Sequence, residues 1–325
     1  MNRLRAIPAF ALVVSCVLFG TAPTFGQIYP TRHVRIITAG AGTFHDIVAR
    51  NLAQRLSERW GQPVVIDNQP AAGLTIGAGM AAKAGPDGYT LLLGDRTSLA
   101  AAPSLYKSLR YGPVKDFSPI TLVARSPAML AVHPSVPSDS LSEFIAYVRR
   151  QSDPVHYAAA GVGTFSHLTG LQFEQLAGVK LLTVQYKGGG DAAVALLRGD
   201  AKFSFLPVPN VLSQMSAGKL KAFVVTSAKR FDGAPAIPTG VESGLPGLEA
   251  EQWLGMLAPA GTPARIVNQL NHDIVEILRT PAFRDILQAQ GATAAPGTPA
   301  ELAAFMASET IRLRKLIEAS GLTML

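Results

Sequence analysis

The residues predict an α/β chain of two domains, and three observations carry that prediction. Short apolar strand signals alternate with segments of helical period from residue 34 to residue 226. The alternation falls into two sets, one ending near residue 93 and one starting near residue 128. A late strand signal over 252–258 then reads as a return to the first set, before two closing helices. The expected division is a leader over 1–26, a first domain over 27–127, a second over 128–250, and the remainder of the first over 251–325.

Arg3 and Arg5 open the chain with positive charge, residues 6–19 are almost all apolar, and small and polar residues follow to Gln27. The apolar run is shorter than the ~20 residues that a membrane-spanning helix needs. This order reads as a secretory signal peptide cleaved near Gly26, so the chain is expected to be exported. A buried N-terminal helix is the other reading. The single cysteine, Cys16, lies inside the run and also fits a loose lipoprotein box, although residues 17–19 continue the apolar run past it. After cleavage near Gly26 the chain would hold no thiol for a disulfide, a metal or nucleophilic chemistry.

In the first set, residues 34–38 read as a short buried strand. Ile47, Val48, Leu52, Leu56 and Trp60 recur at helical spacing, and Gly61 stops that helix. Residues 64–66 give a second strand and 76–84 a helix of small residues; Pro86, Asp87 and Gly88 then turn the chain into a strand over 89–93. This βαβαβ order predicts a mostly parallel sheet with helices on both faces. The second set has strands over 129–132, 156–159, 181–185, 202–205 and 222–226. Helices are expected between them over 141–150, 166–176, 192–197 and 211–217, with Gly178 and Gly199 closing two of them. Proline and glycine crowd 233–246, the mark of a crossover loop, and helices over 263–278 and 299–319 finish the chain.

Charged residues are 16% of the chain and hydrophobic ones 48%, which excludes a disordered chain and fits a packed one. Without Arg3 and Arg5 the chain holds 27 basic and 22 acidic residues. The basic ones are scattered, with no aromatic platform among them, which argues against nucleic acid. A mild positive field suits a small anion.

Three glycine-bearing loops each join a predicted strand to a predicted helix. The first holds Ala39, Gly42, Thr43, Phe44, His45 and Asp46. The second holds Gly161, Gly163, Thr164, Phe165 and His167. The third runs from Tyr186 through Gly188, Gly189 and Gly190. In open α/β sheets ligands bind at the carboxyl ends of strands, where such loops sit. Glycine lets a ligand approach, and the first N–H groups of the following helix are unpaired and favour negative charge. Thr43, Thr164 and Ser166 add hydroxyls. Together the loops read as a carboxylate site that needs no metal and no cofactor; singly, each reads equally as a tight turn. Gly40 and Gly42 begin a dinucleotide fingerprint, with Asp67 spaced as its acid, but His45 takes the third glycine's place. The string Gly-Thr-Phe, shared by 42–44 and 163–165, places Phe44 and Phe165 to flank a flat ligand, or else to pack under their own helices. Arg96 follows the strand over 89–93, placed either to grip a carboxylate bidentately or to lie in solvent.

Catalytic motifs are missing: there is no G-x-S-x-G elbow, no P-loop and no H-E-x-x-H. The six histidines, His33, His45, His133, His156, His167 and His272, include no pair at metal-ligand spacing. His45 beside Asp46 suggests a general base, yet a cap or a ligand hydrogen bond suits a histidine at a helix start better. No catalytic residue and no metal ligand is expected.

With these residues in place, the chain resembles the substrate-binding proteins of tripartite tricarboxylate transporters, the Bug family, from about Tyr29 to its end. The matching strings are Tyr29-Pro30, Asp-Ile-Val-Ala-Arg at 46–50, Gly-Gln-Pro-Val-Val at 61–65 and Gly-Pro-Asp-Gly-Tyr-Thr-Leu at 85–91. They continue with Pro-Val-Lys-Asp-Phe at 113–117, His-Pro-Ser-Val-Pro at 133–137, Gly163-Thr164 with His167-Leu168, Tyr-Lys-Gly at 186–188 and Leu-Ala-Pro-Ala-Gly-Thr-Pro at 257–263. The resemblance implies a periplasmic clamp of the type II binding-protein class, with the ligand cleft between two α/β domains. It implies that the first two loops hold one ligand carboxylate through N–H groups, hydroxyls and ordered water. It also implies a monomer that delivers its ligand to a two-subunit membrane permease and catalyses nothing.

Departures from the family pattern bear on the ligand. The family's first loop usually reads P-F-x-x-G-G-x-T-D; here Thr38, Ala39, Thr43 and Phe44 replace part of it, and His45 stands where Thr or Ser is usual. Leu206-Pro207 follow Phe205 where many relatives carry an acidic or amide residue, which leaves an α-ammonium group without a partner and argues against amino acids. Asp95-Arg96 stand where relatives have small polar residues. The expected ligand is therefore a dicarboxylate, aliphatic or aromatic such as terephthalate, with its second carboxylate on Arg96. A sensory clamp presenting the acid to a membrane receptor, or an exported α/β enzyme, are the other functions considered.

Overall fold

The computed structural model describes residues 29–69 and 72–322, so the expected leader over 1–26, with Cys16, lies outside the described residues. β1 (Val34–Thr38) buries Val34, Ile36 and Ile37 completely. α1 (Phe44–Trp60) starts at Thr43, whose side chain accepts from the Asp46 N–H, and stops at Gly61 in the left-handed region at φ 63°. β2 (Val64–Asn68) lies parallel to β1 on one side, and after α2 (Thr75–Ala82) the strand β3 (Thr90–Asp95) lies parallel to it on the other. A turn of π-helix over Thr97–Ala101 follows directly and leads into α3 (Ala102–Leu105). Neither element was predicted from the sequence.

β4 (Phe117–Val132) is a 16-residue strand. Then come α4 (Leu141–Arg150), β5 (Val155–Ala159), α5 (Phe165–Ala177), β6 (Leu181–Gln185), α6 (Gly189–Arg198), β7 (Phe203–Pro207), α7 (Val208–Ser216) and β8 (Lys221–Val225). β9 (Glu251–Pro259), α8 (Ala264–Arg279), α9 (Pro281–Ala289), β10 (Thr293–Ala294) and α10 (Pro299–Ser320) complete the chain.

The strands line up as β2-β1-β3-β9-β4-β7-β5-β6, with β8 and β10 also pairing with β4. β4 serves both halves of this sheet. Its residues from Phe117 to Pro127 pair with β9, and those from Ala128 to Val132 pair with β7. The expected mostly parallel sheet holds for the outer units only. β1 with β2 and β3, and β5 with β6 and β7, are parallel, whereas β9 and β4 run antiparallel to their neighbours. β9 enters the first half from the second by a long return, so it meets β3 head to tail.

Helices cover both faces, as an α/β sheet requires. On β3, Leu91 and Leu93 join the core beneath α1 and α8, while Leu92 faces the opposite core with Trp253, Leu257 and Leu313. The second half closes over Phe144, Tyr157, Phe173, Phe203 and Phe205. Each such side chain contributes about 1.5–3 kcal/mol by leaving water. Among the described residues no helix is long and apolar enough to cross a membrane.

Candidate functional site

The three predicted loops leave the carboxyl ends of β1, β5 and β6. The first two are near copies of one another. Gly42 and Gly163 take φ values of 75° and 73°. Thr43 and Thr164 each donate the side-chain hydroxyl to the carbonyl three residues back, Gly40 and Gly161, at 2.7 Å. The glycine N–H then donates to the side chain four residues ahead, Gly42 to Asp46 Oδ2 at 2.9 Å and Gly163 to His167 Nδ1 at 3.0 Å. The repeated Gly-Thr-Phe string is the sequence trace of this shared geometry. It leaves the N–H groups of Phe44 and His45, and of Phe165 and Ser166, as the open first-turn donors that a helix start presents.

Asp46 and His167 hold these loops from inside. Asp46 is buried and accepts from Gly42, from Arg50 Nε at 3.0 Å and from Asn68 Nδ2 at 2.9 Å. Burial raises its carboxyl, but the Arg50, Gly42 and Asn68 donors outweigh that and hold it below the ordinary carboxylate range. Asn68 also donates to the Ala39 carbonyl at 2.7 Å, closing the first loop. Asp46, expected from the sequence at the ligand, anchors the first loop from inside through these three donors. His167 accepts at Nδ1, so its neutral ring carries the proton on Nε2 and is a donor there. Burial lowers its pKa.

Tyr186 packs against Ala158, Ala192 and Ala201, and its N–H donates to the Ala159 carbonyl at 2.8 Å. Its own carbonyl lies 3.6 Å from where a Cβ on Gly161 would stand, so the third loop backs the second. Phe44 leans on the core of its own half, and no ring contact joins it to Phe165 among the described residues. The two phenylalanines thus stand on separate halves of the fold, without direct contact. Each fits the packing of its own half, and Phe165 meets Arg96 instead.

Arg96 is not in solvent. It is 1% exposed, at the start of the π-turn, with its guanidinium 5.2 Å from the centre of the Phe165 ring. Among the described residues, none of its three guanidinium nitrogens finds a hydrogen-bond acceptor. The nearest carboxylate is Glu309 Oε2, 3.6 Å from Nε and too far to accept. Glu309 is held off by other donors: Arg312 at 2.7 and 2.9 Å, and Trp253 Nε1 at 3.3 Å. Burial and then the Arg312 charge pull the Arg96 pKa down to about 10, so the group remains a cation at neutral pH.

His45 does not pair with its neighbour Asp46. Its Nε2 lies 3.1 Å from Asp95 Oδ2. Burial would raise the Asp95 carboxyl, but His45 and Ser98 outweigh it and lower it. Asp95 also accepts from Gln252 Nε2 at 3.0 Å. Gln252, Asn68, Ser98 and Leu105 were not singled out from the sequence. Each works through a partner distant in the chain or through an unpredicted turn.

A cavity of 380 Å³ opens beside Glu309, lined also by Arg125, Glu251, Trp253, Phe305 and Arg312. Two ion pairs line it, Arg125 with Glu251 at 3.5 Å and Arg312 with Glu309 at 2.7 Å, together with the Glu249 carboxylate. Its two arginines are held by carboxylates, unlike Arg96, whose guanidinium nitrogens have no hydrogen-bond partner among the described residues. Among the described residues, no group of three or more His, Cys, Asp or Glu side chains could hold a metal ion.

Comparison with known proteins identifies the family of the chain and its fold. The profile of TctC, the tripartite tricarboxylate transporter family receptor, matches residues 48–322. Protein BugT of Bordetella pertussis is 34% identical over 323 residues, covering 99% of this chain and 98% of BugT. A protein of R. palustris solved with adipate superposes with a TM-score of 0.82 at 32% identity, over 91% of this chain and all of that one. MatC from Rhodopseudomonas palustris with bound malate gives a TM-score of 0.76 at 34% identity, over 89% of this chain and all of that one. The α/β fold is that of these periplasmic solute-binding proteins.

Proposed function

The chain belongs to the tripartite tricarboxylate transporter receptor family, and from that premise we propose that it captures a small dicarboxylate in the periplasm and hands it to a two-subunit membrane permease. The family is one of binding receptors rather than enzymes. In this reading the chain acts as a monomer whose domains are 27–127 with 251–325, and 128–250. The passage of β4 from β9 to β7 between Pro127 and Ala128 supports that division.

One ligand carboxylate sits between the first two loops. Ala39, Gly42, Thr43, Phe44 and His45 frame it from one side, and Gly161, Gly163, Thr164, Phe165 and His167 from the other, with Tyr186 behind. The open N–H groups at the two helix starts and the His167 Nε2–H are its donors.

The second carboxylate goes to Arg96. The single observation that carries the proposal is this buried guanidinium with three unsatisfied nitrogens. A desolvated cation is costly until an anion reaches it, and a carboxylate matches its planar fork. Adipate and malate, both aliphatic diacids, occupy the two related structures. An aromatic diacid such as terephthalate would have Phe165 beside Arg96, with Phe44 on the opposite half.

The test is a thermal-shift screen of the mature protein against mono-, di- and tricarboxylates, both aliphatic and aromatic. A ligand that binds only the folded state adds ~2.7 kcal/mol at a hundredfold excess over its Kd. Diacids should raise Tm more than monoacids of equal length. No rise with any acid would overturn the carboxylate reading.

A further inference from the structure

We infer that Gln252 is a specificity-determining residue of the same site, and that the acid it selects carries a hydroxyl near one of its carboxylates. This rests on the carboxylate reading above and narrows it. Asp95, at the end of β3, is fully engaged. Ser98 donates to its Oδ1 from the backbone N–H at 2.8 Å and from the hydroxyl at 2.7 Å. His45 Nε2 and Gln252 Nε2 share its Oδ2 at 3.1 and 3.0 Å.

An ionised carboxylate only accepts, so Asp95 dictates the polarity of both partners. Gln252 must turn its NH2 toward Asp95 and keep its Oε1 for something else. That oxygen is buried and has no donor among the described residues. His45 must carry a proton on Nε2 to donate to Asp95.

Arg96, the next residue after Asp95, holds three buried donors without acceptors. Gln252 reaches the same end of β3 from β9, where Leu254 pairs with Asp95. A plain carboxylate satisfies the donors alone and leaves the Gln252 oxygen buried and unmet. A carboxylate with a neighbouring hydroxyl satisfies both kinds of group. Sites built around such a group reject the analogue that lacks it. Asp95 is the positioning residue in this arrangement, since it acts through Gln252 and His45.

The experiment is calorimetric titration of the mature chain with paired acids: succinate and malate, glutarate and 2-hydroxyglutarate, adipate and 3-hydroxyadipate. In at least one pair the hydroxylated acid should bind the wild-type protein at least about tenfold more tightly. Gln252→Leu should bring that ratio close to one by weakening the hydroxylated acid, and Asp95→Asn should shrink it by freeing the amide to flip. Ratios near one in the wild type for every pair that binds would overturn the inference and leave the carboxylate reading in place. A ratio unchanged by Gln252→Leu would also overturn it. No binding by either member of any pair would remove the carboxylate reading itself. The wild-type ratios decide the question even if a variant fails to fold.

Discussion

The guanidinium of Arg96 lies 5.2 Å from the ring centre of Phe165, and the two residues come from opposite halves of the sheet. The aromatic face covers a cation that has no hydrogen-bond acceptor among the described residues. The contact joins Arg96 to the other half of the fold, and Arg96 is not a surface residue.

Arg96→Ala should weaken diacids by ~1.5–3 kcal/mol, the worth of charge-assisted hydrogen bonds, and leave monoacids unchanged. Arg96→Lys should restore only part of the loss, because a point charge lacks the planar fork. Calorimetry with adipate and hexanoate separates the cases; equal losses for both would remove Arg96 from the site. In the ligand-free protein, Arg96→Met should melt at or above the wild-type temperature, since it removes a buried charge without hydrogen bonds.

Gly42 and Gly163 share one backbone conformation but not one environment. A Cβ on Gly42 meets nothing within 4 Å, whereas one on Gly163 would stand 2.7 Å from Leu105 Cδ1. Gly42→Ala should cost about 1–2 kcal/mol, the strain of the left-handed region alone. Gly163→Ala should cost more, and Leu105→Ala in that background should recover part of the excess. Melting of the two single variants and the double variant measures the difference.

Burial holds His167 below its ordinary value of 6.5. The unfolded chain therefore takes up a proton first as pH falls, and the native state loses stability progressively below about 6.5. His133, depressed by burial and then by Lys202, adds to the same slope. Protonation at Nδ1 also expels the Gly163 N–H, so carboxylate affinity should fall with stability. His167→Asn keeps an acceptor that does not titrate and should flatten the slope without abolishing it. Tm measured across pH 5–7.5 reads this directly; an unchanged slope in the variant would refute the assignment.

Asn68→Ala should loosen the first loop, since one amide group donates both to the Ala39 carbonyl and to Asp46. The expected cost is about 1–3 kcal/mol of stability. Affinity for mono- and diacids should fall together, because the shared carboxylate seat is disturbed. A loss confined to diacids would contradict this.

The outer strands and their helices were legible because apolar period and glycine stops act locally. The part of β4 before Met129 was not: Pro119 and Pro127 interrupt it, and register shifts near Pro119 absorb the break. α9 was hidden because only Thr280 separates it from α8. The π-turn after Arg96 leaves no periodic trace, so the burial of Arg96 could not be foreseen. At the site, the loops were visible as glycine ahead of helices. The inward turn of Asp46 depends on Asn68, 22 residues away, and the role of Gln252 on Asp95, 157 residues away. Partnerships at that range have no signature in a single sequence.

β4 supplies Ile120 and Val123 to one core and Leu130 and Val132 to another. Melting either half would strip its neighbour of an interior strand, so neither core can be lost alone. Chains with more than one core often unfold in stages. Here the shared strand should bind the two cores into one cooperative unit, and calorimetric heating of the ligand-free protein should give a single endotherm whose van't Hoff and measured enthalpies agree.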